Sequence, residues 1–169
     1  AVDCDLRTAS LSMTVGSPKP GLSDYLGRHT DSVDSIIYPC DKCRGLDVLP
    51  SGTIPPNPAE LLASDRFVTL LSELRSRYDY VFLDCPPIDA VADTSIVSHY
   101  VDRSLFVVRA GRLERAMLAD LEKLYKSGRL KNLSVILNGT RCAGTIYAYR
   151  YGYSYGYGTD AGRRRSKWF

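Results

Sequence analysis

Three strongly apolar runs separated by helix-like segments constrain the fold of this chain more than any other feature. The runs lie at 80–84, 104–110 and 133–138, and a shorter one lies at 46–50. Apolar residues at helical spacing predict helices at 57–78, 93–101 and 113–128. Continuous apolar strands that alternate with helices are typical of a mostly parallel sheet with helices on both faces. We therefore predict an α/β fold.

The segment 57–78 has the clearest helix signals. Asn57 is a suitable N-cap, and Pro58 suits the first helical position. The apolar residues that recur at helical spacing are Leu62, Phe67, Leu70, Leu71, Leu74 and Tyr78. The pattern predicts one continuous amphipathic helix.

Composition limits the chain to one soluble core. It has 169 residues, of which 44% are hydrophobic and 24% charged, as in an ordinary globular domain. No apolar run is long enough to span a membrane, and no export signal opens the chain, so we expect a cytoplasmic protein.

The C-terminal segment 141–169 differs in composition from the rest. It holds six Arg or Lys residues and one Asp, a net charge of +5 in a chain whose total is +3. Its alternating tyrosines are Tyr147, Tyr149, Tyr151, Tyr153, Tyr155 and Tyr157. Glycine is frequent here and loses the most entropy on ordering. We therefore predict a folded domain over 1–140 and a flexible tail over 141–169.

The five cysteines do not form a disulfide pattern. Their number is odd, and Cys4 and Cys85 lie in or beside apolar runs, which suits buried reduced thiols. Cys40 and Cys43 form a C-x-x-C motif, a spacing that occurs in one half of many zinc sites. No second pair of cysteines and no paired histidines at metal spacing accompany it, so metal binding there stays open.

Acidic residues lie at the ends of two apolar segments. Asp3 and Asp5 follow the apolar opening of the chain, and Asp84 ends the run at 80–84. Ligands of open α/β sheets bind beyond the carboxyl ends of the strands, and alternate residues of an extended segment project to the same side. Carboxylates in that place can hold Mg²⁺ for a nucleoside triphosphate. We predict a magnesium site at these three acids.

Motifs along nearly the whole chain resemble one protein family. The segment 1–7, AVDCDLR, is similar to a Walker A′ motif, and 78–87, YDYVFLDCPP, to a Walker B strand. Two further motifs, GLSDYL and LDVLPSGTIPPNPAELL, lie between these segments. VVRAG and the tyrosine-rich tail follow the Walker B-like strand. Together they resemble the bacterial tyrosine kinases of capsular and extracellular polysaccharide synthesis, a branch of the deviant-Walker P-loop ATPases.

The resemblance implies a site and its cofactors. Asp3 and Asp5 would help bind Mg²⁺ and activate the attacking tyrosine hydroxyl, and Asp84 would complete the metal site. ATP would be the phosphate donor, with Asn138 near its adenine. The six tail tyrosines would be phosphorylated by a neighbouring subunit.

The resemblance also implies partners and a location. The subunits would form a homo-oligomeric ring at the cytoplasmic face of the membrane. Their partners would be a membrane activator, fused or separate, and a cognate phosphatase. Nucleic acid is not expected.

One family feature is missing from the sequence. The phosphate-binding loop should precede Asp3, yet no Gly-Lys-Thr or Gly-Lys-Ser occurs in the 169 residues. We therefore expect an N-terminally truncated kinase domain that lacks the P-loop strand and helix and is inactive alone. Unpaired strand edges and uncovered apolar surface should make it self-associate or weakly stable.

Two alternatives stay open at this stage. A ParA/MinD-like deviant-Walker ATPase would hydrolyse ATP to switch dimers, but it has no tyrosine-rich substrate tail. A non-catalytic module would bind single-stranded nucleic acid through the Tyr, Gly and Arg residues of the tail. No basic or aromatic surface motif in the α/β body supports that second alternative.

Overall fold

The fold alternates short strands and helices. The computed structural model describes residues 1–88, 93–112 and 117–140. Its strands are β1 (Val2–Asp3), β2 (Tyr38–Pro39), β3 (Asp47–Val48), β4 (Leu83–Asp84), β5 (Leu105–Arg109) and β6 (Ser134–Asn138). Its α-helices are α1 (Leu22–Leu26), α2 (Pro58–Leu62), α3 (Asp65–Arg77), α4 (Asp93–Val97) and α5 (Met117–Lys126). The predicted tail at 141–169 lies outside the described residues.

Parallel pairing dominates the strands. β1 pairs with β4 and β5 with β6, both in parallel, whereas β2 and β3 form an antiparallel hairpin. A parallel bridge joins Val2 to Leu49, so β1 lies between the end of the hairpin and β4. The α/β class predicted from the sequence is confirmed. Strand β3 lies within the apolar run predicted at 46–50, whereas β2 and α1 have no counterpart among the predicted elements.

The prediction of one helix over 57–78 is wrong, because two residues that are not helical separate α2 from α3. Ser64 adopts extended backbone angles at the break and caps α3, with its hydroxyl accepting a hydrogen bond from Phe67 N. The same hydroxyl donates to Leu61 O at the end of α2, at 2.6 Å. Serine competes with the helix for its own backbone groups, and this outweighs the apolar periodicity across the break.

The core lies between β1, the hairpin and α3. Phe67 is fully buried on α3, and its ring meets Tyr100 edge-on with ring centroids 5.9 Å apart. Helix α3 also buries Leu70 and Leu74 in the cluster that contains Val2. Full burial of side chains of this size stabilises a fold by about 1.5–3 kcal/mol each. This packing fixes the position of β1, whose C-terminal end carries the acidic residues.

The β5–β6 pair leaves apolar side chains exposed. Val107 and Leu137 are 58% and 59% exposed, whereas Val108 is only 8% exposed. Exposed apolar patches mark contact surfaces or sites of association. Self-association of the chain stays a prediction. In the part of the chain that the structure describes, no helix is long and apolar enough to cross a membrane.

Candidate acidic site at the ends of two parallel strands

The pairing of β1 with β4 brings two of the predicted site residues side by side. Asp3 and Asp84 are register partners in the parallel ladder. Cys4 N donates to Asp84 O at 2.8 Å, and on the other edge Asp3 N donates to Leu49 O at 2.9 Å. Both acids therefore lie at the carboxyl edge of the strands, as the sequence predicts.

Asp3 is fully buried and its carboxylate is fixed by hydrogen bonds. Oδ2 accepts from Ser12 N at 2.8 Å and from Ser12 Oγ at 2.6 Å. Oδ1 accepts from Asp5 N at 3.2 Å. Ser12 Oγ in turn accepts from Ser51 N at 2.8 Å. A buried carboxylate needs such partners, and these hold Asp3 in one orientation.

Asp5 organises the loop that follows β1. Its Oδ1 accepts from Arg7 N at 3.2 Å and from Thr8 N at 3.0 Å. A carboxylate that bonds backbone N–H groups two and three residues ahead closes a local turn. Asp5 is half-buried, and this turn keeps its carboxylate beside the end of β1.

Asp84 lies at the surface next to the other two acids. Partial burial of its carboxyl, and then the negative charges of Asp3 and Asp5, raise the pKa of Asp84 above its ordinary value. The three acids are therefore close enough to repel one another. A bound cation would relieve this repulsion.

The acids fit Mg²⁺, although they form no closed metal cage. Mg²⁺ prefers oxygen ligands and is commonly held by one or two carboxylates with water and phosphate. Asp3 is already bonded at both oxygens, so Asp5 and Asp84 are the carboxylates that suit direct contact. Over residues 1–88, 93–112 and 117–140, no group of three or more His, Cys, Asp or Glu residues is arranged to hold a metal ion.

An ion pair missed by the sequence analysis joins the site to α4. Arg7 Nε lies 3.4 Å from Asp93 Oδ2, and the Asp93 side chain is 3% exposed. Arg7 thus bonds Asp5 through its backbone and Asp93 through its side chain. No periodicity or motif separates Asp93 from an ordinary residue of the first helical turn.

Asn138 belongs to a different strand pair from the acids. It ends β6, is exposed, and its Oδ1 accepts from Gly139 N at 2.7 Å. Its predicted place near adenine stays a prediction. The six tail tyrosines fall outside the described residues.

The fold and the site define a class. Parallel strand pairs alternate with helices, and one pair ends in Asp3 and Asp84, as in a P-loop NTPase-like domain. No protein-family model matches the chain. Comparison with individual proteins is more specific.

Curated relatives are tyrosine-protein kinases of bacteria. The chain is 38% identical over 151 residues to tyrosine-protein kinase Etk of Escherichia coli K12. This alignment covers 88% of this chain and 20% of Etk. It is 41% identical over 141 residues to tyrosine-protein kinase YwqD of Bacillus subtilis 168. That alignment covers 83% of this chain and 59% of YwqD. The chain thus spans from a fifth to about three fifths of these relatives.

Solved structures similar to this chain are also kinase domains. The kinase domain of Escherichia coli Etk matches with a TM-score of 0.73 at 35% identity, over 92% of this chain and 59% of that one. The kinase domain of VpsO matches with a TM-score of 0.72 at 34% identity, over 83% of this chain and 69% of that one. The chain belongs to the family of bacterial tyrosine kinases.

Proposed function

We propose that this chain is the larger part of a kinase domain that transfers the γ-phosphate of ATP to tyrosine in a Mg²⁺-dependent reaction. The register pairing of Asp3 with Asp84, and the repulsion of Asp84 by Asp3 and Asp5, carry this proposal. The solved kinase domains that share the fold support it.

The acids have distinct tasks in this proposal. Asp5 and Asp84 would hold Mg²⁺, which would screen the charge of the triphosphate. Asp3, whose carboxylate is fixed by Ser12, accepts a hydrogen bond from Asp5 N and so orients the backbone of Asp5. Asp5, which is half-buried beside the end of β1, would also accept the proton of the attacking tyrosine hydroxyl.

The acceptors in this proposal are the six tyrosines between Tyr147 and Tyr157, on a neighbouring subunit of a homo-oligomeric ring. Each phosphotyrosine adds roughly −1.5 to −2 charges near neutral pH. Six of them add about −9 to −12, so the segment 141–169 passes from +5 to strongly negative. The attraction of this segment to an acidic surface on the neighbouring subunit then becomes repulsion, and the ring disassembles.

The cellular setting is also part of the proposal. The kinase works in the cytoplasm, at the inner face of the membrane, where a membrane activator stimulates it and a cognate phosphatase reverses it. Its phosphorylation cycle controls the polymerisation and export of a capsular or extracellular polysaccharide. The resemblance of the 46–62 segment and the tyrosine-rich tail to that family supports this setting.

Mass spectrometry of the product of the complete coding sequence, expressed with its activator, tests this function. We expect phosphate between Tyr147 and Tyr157, and its loss in Asp84→Asn. The matched control is Asp79→Asn, which changes an exposed acid just before β4 and keeps the phosphate. Phosphate only on Tyr25, Tyr38 or Tyr125, or undiminished phosphate in Asp84→Asn, contradicts the proposal.

The 169-residue chain by itself should be inactive. It has no Gly-Lys-Thr or Gly-Lys-Ser to cradle the β- and γ-phosphates. Isothermal titration with Mg·ATP should therefore show no tight binding. Binding of micromolar affinity or better would refute this part of the proposal.

A further inference from the structure

The loop between β2 and β3 brings two cysteines together in one turn. Cys43 N donates to Cys40 O at 3.1 Å, which closes a four-residue turn around the C-x-x-C motif. Leu46 N then donates to Cys43 O at 3.2 Å, and Cys40 N donates to Leu46 O at 2.9 Å. The Cα atoms at the ends of such a turn lie within about 7 Å of each other. Two thiols held this way can contact one metal ion.

Packing does not account for these two thiols. Both are free, Cys43 is exposed and Cys40 is half-buried, whereas Cys4 is fully buried in the core. Cysteine is among the most buried residue types, and an unburied one is usually retained for its reactivity or metal binding. Three backbone hydrogen bonds already close the loop, so the thiols are not needed to hold it.

We propose that Cys40 and Cys43 form half of a Zn²⁺ site, which the same two residues of a second copy of this chain complete. Thiolates select zinc, and a structural zinc site takes four ligands in a tetrahedron. Within the described ranges no third His, Cys, Asp or Glu joins the pair in a metal-binding group. A second copy supplies the two further thiolates by symmetry. Each bound thiol releases its proton to solvent.

The charge of the loop suits such a site. Zinc with four thiolates carries two net negative charges. Lys42 and Arg44 are exposed on the same loop, with Asp41 as the acidic residue between Cys40 and Cys43. Each copy therefore brings one net positive charge, and two copies together neutralise the metal centre.

The zinc half-site is separate from the acidic site. Leu49 N donates to Ala1 O at 2.8 Å and Asp3 N donates to Leu49 O at 2.9 Å, so the chain entering β3 lies beyond the start of β1. Asp3 lies at the other end of that strand. The proposed zinc half-site and the acidic site therefore lie toward opposite ends of β1. The proposal does not depend on kinase activity, so its test is independent of the proposed function.

The test uses the 169-residue chain under reducing conditions. Sedimentation velocity with Zn²⁺ and with EDTA measures the dimer, and elemental analysis measures zinc per chain. Co²⁺ serves as the optical probe, because its thiolate charge-transfer band reports the number of sulfur ligands. The variant is Cys40→Ser/Cys43→Ser, and the matched control is Cys142→Ser, which removes the cysteine of the 141–169 segment.

We expect one zinc per two chains, a dimer that EDTA dissociates, and a four-thiolate cobalt spectrum. Cys40→Ser/Cys43→Ser should lose all three, and Cys142→Ser should keep them. One zinc per chain in a monomer, loss of zinc in Cys142→Ser, or no metal uptake by the reduced chain would each overturn the proposal. A zinc-independent dimer through the exposed β5–β6 surface would persist in EDTA and is thereby distinguished.

Discussion

Ser12 Oγ donates a 2.6 Å hydrogen bond to the buried Oδ2 of Asp3 and accepts one of 2.8 Å from Ser51 N. One hydroxyl thus connects the end of β1 to the loop after β3. Ser12 and Ser51 are 1% and 4% exposed, so water does not replace these bonds. The orientation of the Asp3 carboxylate depends on a residue nine positions away in sequence.

Ser12→Ala should therefore destabilise the chain. It removes one hydrogen bond to a buried carboxylate and leaves Ser51 N without its acceptor, at a cost of about 2–3 kcal/mol in the free energy of unfolding. Urea unfolding followed by circular dichroism measures it. Ser10→Ala, an exposed change in the same loop, is the control and should shift stability by less than about 0.5 kcal/mol. Equal losses of unfolding free energy in the two variants would mean that the Ser12 hydrogen bonds do not stabilise the fold.

Ser64→Ala tests the break between α2 and α3. The Ser64 hydroxyl caps Phe67 N and also bonds Leu61 O, so its loss should cost about 1 kcal/mol of unfolding free energy. Ser72→Ala, at an exposed position within α3, should be neutral or slightly stabilising because alanine has the higher helix propensity. The same urea experiment compares them. A stabilised Ser64→Ala would indicate that α2 and α3 prefer to join into one helix.

The sequence predicts the class of fold and the position of the acids, because both depend on local patterns. An apolar run followed by Asp places Asp84 at a strand end before any contact is known. Ser12 and Asp93 could not be found in this way. Ser12 begins a short 3-10 helix (Ser12–Val15) outside the predicted strands and helices, and its role comes from a contact with Ser51 across 39 residues. The break at Ser64 was also missed, because apolar spacing continues through it.

Tyr78 makes the stability of the chain sensitive to alkaline pH. Its hydroxyl donates to Asp47 Oδ2 at 2.7 Å. Burial, then the hydrogen bond to Asp47 and its negative charge, raise the pKa of Tyr78 to about 12. The folded pKa exceeds the unfolded value of about 10, so the protonated hydroxyl contributes stability below pH 10 that is lost as the pH rises toward 12.

Phenolate absorbance checks this prediction. The titration of Tyr78→Phe, subtracted from that of the original chain, should leave one group that ionises near pH 12. The same subtraction in urea should leave a group near pH 10, the ordinary value of tyrosine. A difference near pH 10 in the folded chain would show that Asp47 does not hold the Tyr78 proton.

Gly21→Ala should be the most damaging of these changes, because it puts a methyl group against main chain. A Cβ at Gly21 would lie 2.5 Å from Pro50 O and also against the backbone of Gly52. Neither neighbour is a flexible side chain, and Leu22 N bonds Pro50 O at 2.7 Å, so the loop cannot move without losing that bond. We expect a loss of more than about 3 kcal/mol, at the upper end of overpacking effects.

Gly16→Ala is the matched control for that change. Gly16 has φ of +80° and no atom within 4 Å of an added Cβ, so alanine there meets backbone strain without a clash. It should cost about 1 kcal/mol of unfolding free energy. Thermal unfolding of the two variants side by side measures the difference. If Gly21→Ala were no worse than Gly16→Ala, the contact between α1 and the Pro50–Gly52 loop would be loose, and the loop that presents Ser51 to Ser12 would not fix the orientation of Asp3.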